Sequence, residues 1–330
     1  MSDYSPRQLC ALMATALAAP LVTVCSDVSW QWVLLASAIA GCFLLYIICA
    51  AGKLPPHTGF GPLLRQAVGP GAARWIQGLY WVWLVLLAGM GCCMAAAAFP
   101  QDRAFPLIPV VLLLIAARVS AKGAAAVCRF GGVLFLAVIS LLVVVLVFGG
   151  QELQWENLRP AGSWQDMAGP LAVLLLPAAG LMLRDRLSDR GVSWSRWFLL
   201  AVGLGVAVSA VTVGALGLPL ARASAHPFWL MSRSVSILGV MERFEAVVSA
   251  LLSLSFCCLL ALTATLGRKA LQGAVPAVKD SPAVWASAIA GGGAMWVIPL
   301  LPAWVWPVGS LLFWGILPAI ILVVVRRKKL

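Results

Sequence analysis

The chain has 330 residues, of which 62% are hydrophobic and 10% charged, with a net charge of +12. That apolar share lies well above the roughly 45–50% of a soluble globular domain, so a water-soluble enzyme or binding domain is excluded and an integral membrane protein is indicated. The 23 basic residues sit mostly in connecting segments and form no stripe with interleaved aromatics, which removes nucleic acid as a partner.

Runs of about 17–25 predominantly apolar residues are long enough to cross the hydrocarbon core as helices. Ten candidates fall near 9–25, 30–51, 75–98, 105–119, 126–148, 168–183, 194–219, 244–266, 283–301 and 304–325. Ahead of the first, Arg7 with Ala16, Ala18 and Ala19 mimics a signal peptide with a small-residue cleavage site. The apolar run continues through Leu21, Val22 and Val24, so this span is expected to stay attached.

The first run contains Pro20 and the sixth contains Pro170 and Pro177. They open two halves with the same number of spans, about 7–148 and 166–325, within one transmembrane domain. Paired, proline-interrupted segments at corresponding positions point to a binding site at the bilayer midplane. A proline inside a helix removes one backbone donor and crowds the preceding turn, freeing carbonyls for other partners. Half-helix N-termini suit a carboxylate, and free carbonyls suit an ammonium group or sodium. Thr15, Ala18, Ala19, Pro20 and Leu21 surround the first expected break, and Leu176, Pro177, Ala178, Ala179 and Gly180 the second. Their small side chains suit a small zwitterion, the alternative being a helix that is merely kinked.

The connection at 52–74 carries Pro55, Pro56, Gly59, Gly61 and Pro62, then Leu63, Leu64, Val68, Trp75 and Ile76 among Arg65 and Arg74. It reads either as a short helix on the membrane surface or as a solvated loop. In the third run, Tyr80, Trp83, Leu84 and Leu87 follow helical spacing and either face a pocket or pack. In the eighth, Ser249 and Ser253 lie at i and i+4 with Ser255 nearby, where hydroxyls either complete a cation site or bond back to their own helix.

Asp27, Asp166, Glu242, Arg243 and Glu245 lie at span ends, and the middle of every run lacks ionisable side chains, which disfavours proton-coupled export and polyamine transport. With ten spans and a cytoplasmic N-terminus, most basic residues fall on the inner side, among them Arg7, Lys53, Arg65, Arg74, Arg118, Lys122, Arg129, Arg268, Lys269 and the run Arg326 to Lys329. This positive-inside pattern places both termini in the cytoplasm. Tryptophans including Trp30, Trp32, Trp75, Trp155, Trp164, Trp194, Trp197, Trp285 and Trp304 are read as interface anchors. Gly131, Gly132, Gly214, Gly217 and the run Gly291 to Gly293 are read as points of close helix approach. Nine cysteines lie mostly within apolar runs without ligand spacing, and His57 and His226 stand in loops, so neither a metal nor a cofactor is expected. No connection is long enough for a folded catalytic domain, which argues against an enzyme.

The loop motifs, in their order along the chain, resemble those of the B subunits of spore germinant receptors, the GerAB-like spore permeases of the amino acid, polyamine and organocation transporter superfamily. They are Ser5, Pro6, Arg7, Gln8 and Leu9 at the entry to the first span, Lys122 and Gly123 with Arg129, and Glu156, Asn157, Leu158, Arg159 and Pro160 before the sixth. His226, Pro227 and Arg233 to Ser236, followed by Glu242, Arg243, Phe244, Glu245 and Ala246, complete the set. The resemblance implies an all-α membrane protein with a LeuT-like five-plus-five inverted repeat. Spans one and six would line the pocket with help from three, eight and ten. It also implies a nutrient ligand, an amino acid among the candidates, and assembly with an A subunit and a lipoprotein C subunit. The setting would be the inner membrane of a spore, or the cell membrane of a spore-forming bacterium. An amino acid permease is the alternative. The sequence departs from the family where Ala18 and Ala19 replace an expected glycine and Ala124 an expected acidic residue.

Overall fold

The computed structural model describes residues 4–54, 58–98, 107–186, 194–234 and 244–328. Among them the chain is predominantly helical and contains no strand. The helices in chain order are α1 (Pro6–Cys25), α2 (Trp30–Gly52), α3 (Phe60–Val68), α4 (Pro70–Ala97), α5 (Leu107–Ala121), α6 (Ala124–Gly149), α7 (Ala168–Leu174), α8 (Trp194–Leu216), α9 (Leu218–Ala223), α10 (Pro227–Ser234), α11 (Phe244–Ala274), α12 (Asp280–Ala294), α13 (Val305–Ser310) and α14 (Leu317–Arg327). A 3-10 segment, Leu176–Arg186, follows α7, and a π-helical segment, Leu311–Ile316, joins α13 to α14.

Among the described residues, eight helical stretches are long and apolar enough to cross a membrane, which makes this a multi-pass membrane protein. The runs expected at 105–119 and 283–301 form shorter helices of 15 residues each, α5 and α12. At 1.5 Å per residue such a helix covers about 22 Å, less than the ~30 Å hydrocarbon core. After α12 the chain turns through Met295 to Val297 into a short 3-10 turn at Ile298–Leu300, whose Pro299 cannot extend a regular helix.

Two helices form the centre of the bundle. In α1, 83% of the apolar window is buried, and in α11 72%, against 28% in the stretch containing α6. Helix α1 packs on α6, α8 and α11, and α11 also packs on α4 and α5. Lipid-like surroundings offer no hydrophobic drive between helices, so close approach through small residues has to supply the contact energy. At Gly131 of α6, an added Cβ would lie 2.6 Å from Leu12 Cδ1 and 2.7 Å from its Cα. At Gly291 of α12 it would lie 2.7 Å from Ala88 Cβ. Gly132 and Gly293, expected to act likewise, meet nothing within 4 Å. Gly217 instead ends α8 with φ of +77°, a conformation that favours glycine.

Ser5 and Gln8 gain a physical role as a capping box. The Ser5 hydroxyl accepts from the Gln8 backbone at 3.3 Å, and the Gln8 side chain accepts from the Ser5 backbone at 3.1 Å. The stretch at 52–74 contains the short helix α3, with Phe60, Leu63, Leu64 and Ala67 buried and Arg65 and Gln66 exposed. Its other expected members, Arg74 and Trp75, belong to α4, which begins as early as Pro70.

The segment between α6 and α7 lies across the ends of α2 and α8. Trp30 and Trp32 donate their indole N–H groups to the carbonyls of Leu158 and Ala161, each at 2.9 Å. Asn157 donates to the Gly214 carbonyl at 3.0 Å, satisfying the end of α8, and Arg222 pairs with Asp166. Trp75, Trp155, Trp164 and Trp304 are exposed, as interface anchors require.

Residues 186, 194–196, 234, 244 and 245 have described backbones only, so the expected anchor Trp194 has no described side chain. Pro55, Pro56, His57, Arg190, Val235, Ser236, Glu242, Arg243 and Lys329 lie outside the described residues.

Candidate functional site

The two proline-bearing segments behave differently. Helix α1 runs unbroken across Pro20, so the expected interruption of the first span does not occur as an unwound stretch. The turn before the proline is nevertheless altered. The Ser255 hydroxyl of α11 accepts from the backbone N–H of Ala19 at 2.8 Å and donates to the carbonyl of Thr15 at 2.6 Å. These two groups are the donor and acceptor of one i→i−4 step, so a foreign side chain bridges the ladder there. One residue on, Pro20 has no N–H to offer the carbonyl of Ala16. The Ala16 carbonyl in this buried turn therefore lacks its helical donor, and the Thr15 carbonyl beside it accepts from Ser255.

In the second segment the helix is broken. Helix α7 ends at Leu174, the Ala178 N–H donates to the Leu175 carbonyl at 3.0 Å, and 11 residues follow as a 3-10 helix. Such runs rarely exceed three or four residues, and a long one marks a hinge or a strained site. Pro177 accounts for its start, since the ring removes a donor and crowds the Val173 carbonyl, which favours the tighter i→i+3 pattern.

The far end of this segment is pinned. Lys269 Nζ donates to the Met182 carbonyl at 3.0 Å and pairs with Asp185, while the Tyr4 hydroxyl donates to the Leu183 carbonyl. Arg184 donates to the Leu54 carbonyl at 3.2 Å. Cations suit the negative C-terminal end of a helix, so the charges here neutralise orphan carbonyls. Arg268 and Lys269, expected in a loop, occupy the last turns of α11, where Arg268 lies 3.7 Å from Asp280.

The 3-10 segment touches α1, α2, α3, α11 and the π-helical segment. Tyr80 and Trp83 face that π-helical segment, as inward-facing residues of the third span. The Tyr80 hydroxyl donates to the Phe313 carbonyl at 2.7 Å, and its ring meets Phe60 and Phe313 edge-on at 5.0 and 5.1 Å. Trp83 stacks on Phe313 at 5.3 Å, and Gly309 has no Cβ that would collide with its ring. Pro318 explains the wider turn, because it offers no N–H to the Trp314 carbonyl; the Leu317 N–H reaches back five residues to Leu312. The indole N–H groups of Trp83 and Trp314 are buried without an acceptor. Buried donors of this kind are costly, and each marks a place where a ligand's acceptor or a water would be favourable.

Ala18, Ala19, Pro20 and Leu21 of α1 and Leu176, Ala178, Ala179 and Gly180 of the 3-10 segment are all buried, with Pro177 half-buried. The Thr15 hydroxyl is engaged with the carbonyls of Ala11 at 2.8 Å and Gly131 at 3.2 Å. Ser249 donates to the Ala98 carbonyl at 2.9 Å and Ser253 to the Ser249 carbonyl at 2.8 Å, so one ties α11 to α4 and the other bonds back to its own helix. Of the two alternatives, Ser253 takes the bond back to its own helix, while Ser249 reaches the end of α4. Leu84 lines a shallow crevice between α4, α5, α11 and α12, with Val85, Leu113, Thr263 and Ser287, that has no room for a ligand, and Leu87 is half-buried beside the core.

Sequence reasoning singled out Tyr80 and Trp83 but missed their partners Phe313 and Trp314, although Pro318 within an apolar run was the available signal. At the other end of α1, burial raises the Asp27 carboxyl above the usual carboxylate range. A backbone hydrogen bond and Arg222 oppose this shift, while Asp166 adds to it. His226 is held below the ordinary imidazole value by burial. No protein-family model matches the chain, and no curated protein matches it.

Proposed function

We propose that this membrane protein binds a small neutral or zwitterionic nutrient, an amino acid being the favoured class, between α1 and the 3-10 segment. On this reading it acts as the B-type subunit of a spore germinant receptor. The observation that carries the ligand proposal is the 11-residue 3-10 run beginning at Pro177, packed against the α1 helix whose turn Ser255 has entered. Backbone groups freed from α-geometry supply donors and acceptors at this depth without a charged side chain. The unpartnered indoles of Trp83 and Trp314 add donors beside the adjoining π-helical segment. The absence of ionisable residues from the middle of the apolar runs favours a ligand that brings no net charge.

A LeuT-like inverted repeat with ten spans would relate α1 to the segment from α7 onward as equivalent first helices of two halves. The receptor assignment, with A and lipoprotein C subunits as partners in a spore or cell membrane, rests on the ordered loop motifs.

The test uses the purified full chain and labelled amino acids presented singly. Saturable binding is expected, with Ala19→Trp weakening it while membrane insertion is kept. Unchanged dose dependence in that variant removes the site assignment. Co-purification with A-type and lipoprotein C-type partners supports the receptor reading, whereas sustained accumulation of label in vesicles containing this chain alone supports a permease.

A further inference from the structure

We propose that the corner formed by α3, the start of α4 and the end of α14 is a docking site for the headgroup of an anionic phospholipid. Three elements meet there. Gly69, with φ of +87°, turns the chain directly from α3 into α4, and its N–H donates to the Arg65 carbonyl at 2.9 Å. Lys328 Nζ donates to the carbonyls of Gln66 at 3.1 Å and Ala67 at 2.9 Å, which brings the end of α14 against the end of α3. Arg65, Arg74, Arg326 and Arg327 are thereby gathered at one corner, and all four are exposed. None of the described hydrogen bonds or ion pairs engages their guanidinium groups.

Among the described residues, no acidic side chain pairs with these four arginines. Helices α3, α4 and α14 contain no acidic residue. Asp185 approaches Gly59 at the opposite end of α3 and is already paired with Lys269. Guanidinium groups are planar forks suited to phosphate oxygens, and basic clusters beside a membrane span attract anionic lipid.

The apolar surface leading away from the corner selects a lipid over a free anion. On α4, Trp75 is 80% exposed and is followed at helical spacing by exposed Leu79 and Val82. On α14, exposed Ile320 and Val323 precede Arg327 on the same helical face. Each stripe begins beside an arginine and continues along the helix into the spanning region, so a bound phosphate would have its acyl chains laid on apolar side chains. An indole at the join matches the interfacial preference of tryptophan.

Native mass spectrometry of the purified full chain, supplied with phosphatidylglycerol and phosphatidylcholine in equal amounts, tests this. The protein is expected to retain the anionic lipid with a preference of roughly tenfold or more, weakened by added salt. Replacing the four arginines (R65Q, R74Q, R326Q and R327Q together) should abolish that preference, while R118Q with K122Q should leave it intact. Trp75→Ala, which leaves every charge in place, should lower retention of the lipid about threefold. Retention unchanged in the four-arginine variant would overturn the proposal. So would an equal loss in the Arg118 and Lys122 variant, or displacement of the lipid by an equal concentration of inorganic phosphate.

Discussion

Pro20 in α1 and Pro177 after α7 each delete a backbone donor in an apolar segment, yet only the second segment leaves α-geometry. The difference lies in what surrounds them. Helix α1 is enclosed by α6, α8 and α11, and Ser255 of α11 bonds both sides of the turn before Pro20. Pro177 has Ala178, Ala179 and Gly180 after it, side chains too small to hold one helical form by packing, and Lys269 and Tyr4 hold the far end of the segment. A proline thus sets a demand for partners, and the neighbouring helices decide whether the helix keeps its form.

The largest effect is expected where the enclosure of α1 is tightest. Gly131→Val places a branched side chain against the Leu12 backbone and should cost about 3 kcal/mol or more, read as a fall in the unfolding midpoint in denaturing detergent. Lys269→Met frees the end of the 3-10 segment from its cation and should cost about 2 kcal/mol by the same measurement. If the two cost the same, the enclosure of α1 is no tighter than the pinning of the second segment.

Ser255→Ala sharpens the comparison further. It should cost about 1–2 kcal/mol, because Thr15 and Ala19 lose a buried partner. A change near zero would mean that the turn closes on itself and needs no help from α11. Pro20→Ala acts in the opposite direction, returning an N–H to the Ala16 carbonyl and stabilising by about 1 kcal/mol.

The smallest effect concerns Asp27. Its folded-state carboxyl is raised, so the folded protein holds the proton more tightly than the unfolded chain does. The stability associated with this group is therefore greatest at low pH and falls as pH rises from the ordinary value of 3.8 through the raised one. Asp27→Asn should remove that fall, stabilising the protein at neutral pH by less than about 1 kcal/mol and leaving it unchanged below the ordinary value. Thermal unfolding of both forms across that range measures it.

Hydropathy made most of the helices legible, because burial in lipid leaves a chemical signature that does not depend on which helices meet, whereas the stretch containing α3 was open to a helix or a loop on its residues alone. The outcome at Pro20 was not legible, since it depends on a serine more than two hundred residues away. Helical spacing placed Ser249 and Ser253 on one face but carried no information on whether that face met α1 or α4. The serine bonded to α1 is Ser255, two positions beyond Ser253. The π-helical segment escaped notice for a related reason: Pro318 signals a disturbed turn, but the aromatic cluster with Tyr80 and Trp83 forms only when α4 and the last span pack together. Lys269 was expected in a loop because hydropathy falls at Arg268, although α11 continues to Ala274 with its charged ends satisfied.

Amide hydrogen exchange at residues 15–20 and 176–180, followed in lipid with and without amino acids, tests the central claim that these two segments form one ligand site. Residues 176–180, outside α-geometry, should exchange faster than the middle of α11 in the absence of ligand, while 15–19, inside a continuous buried helix, should exchange more slowly than they do. One amino acid should then slow both together. Slowing of one stretch alone, or of neither with any amino acid, would contradict a shared site.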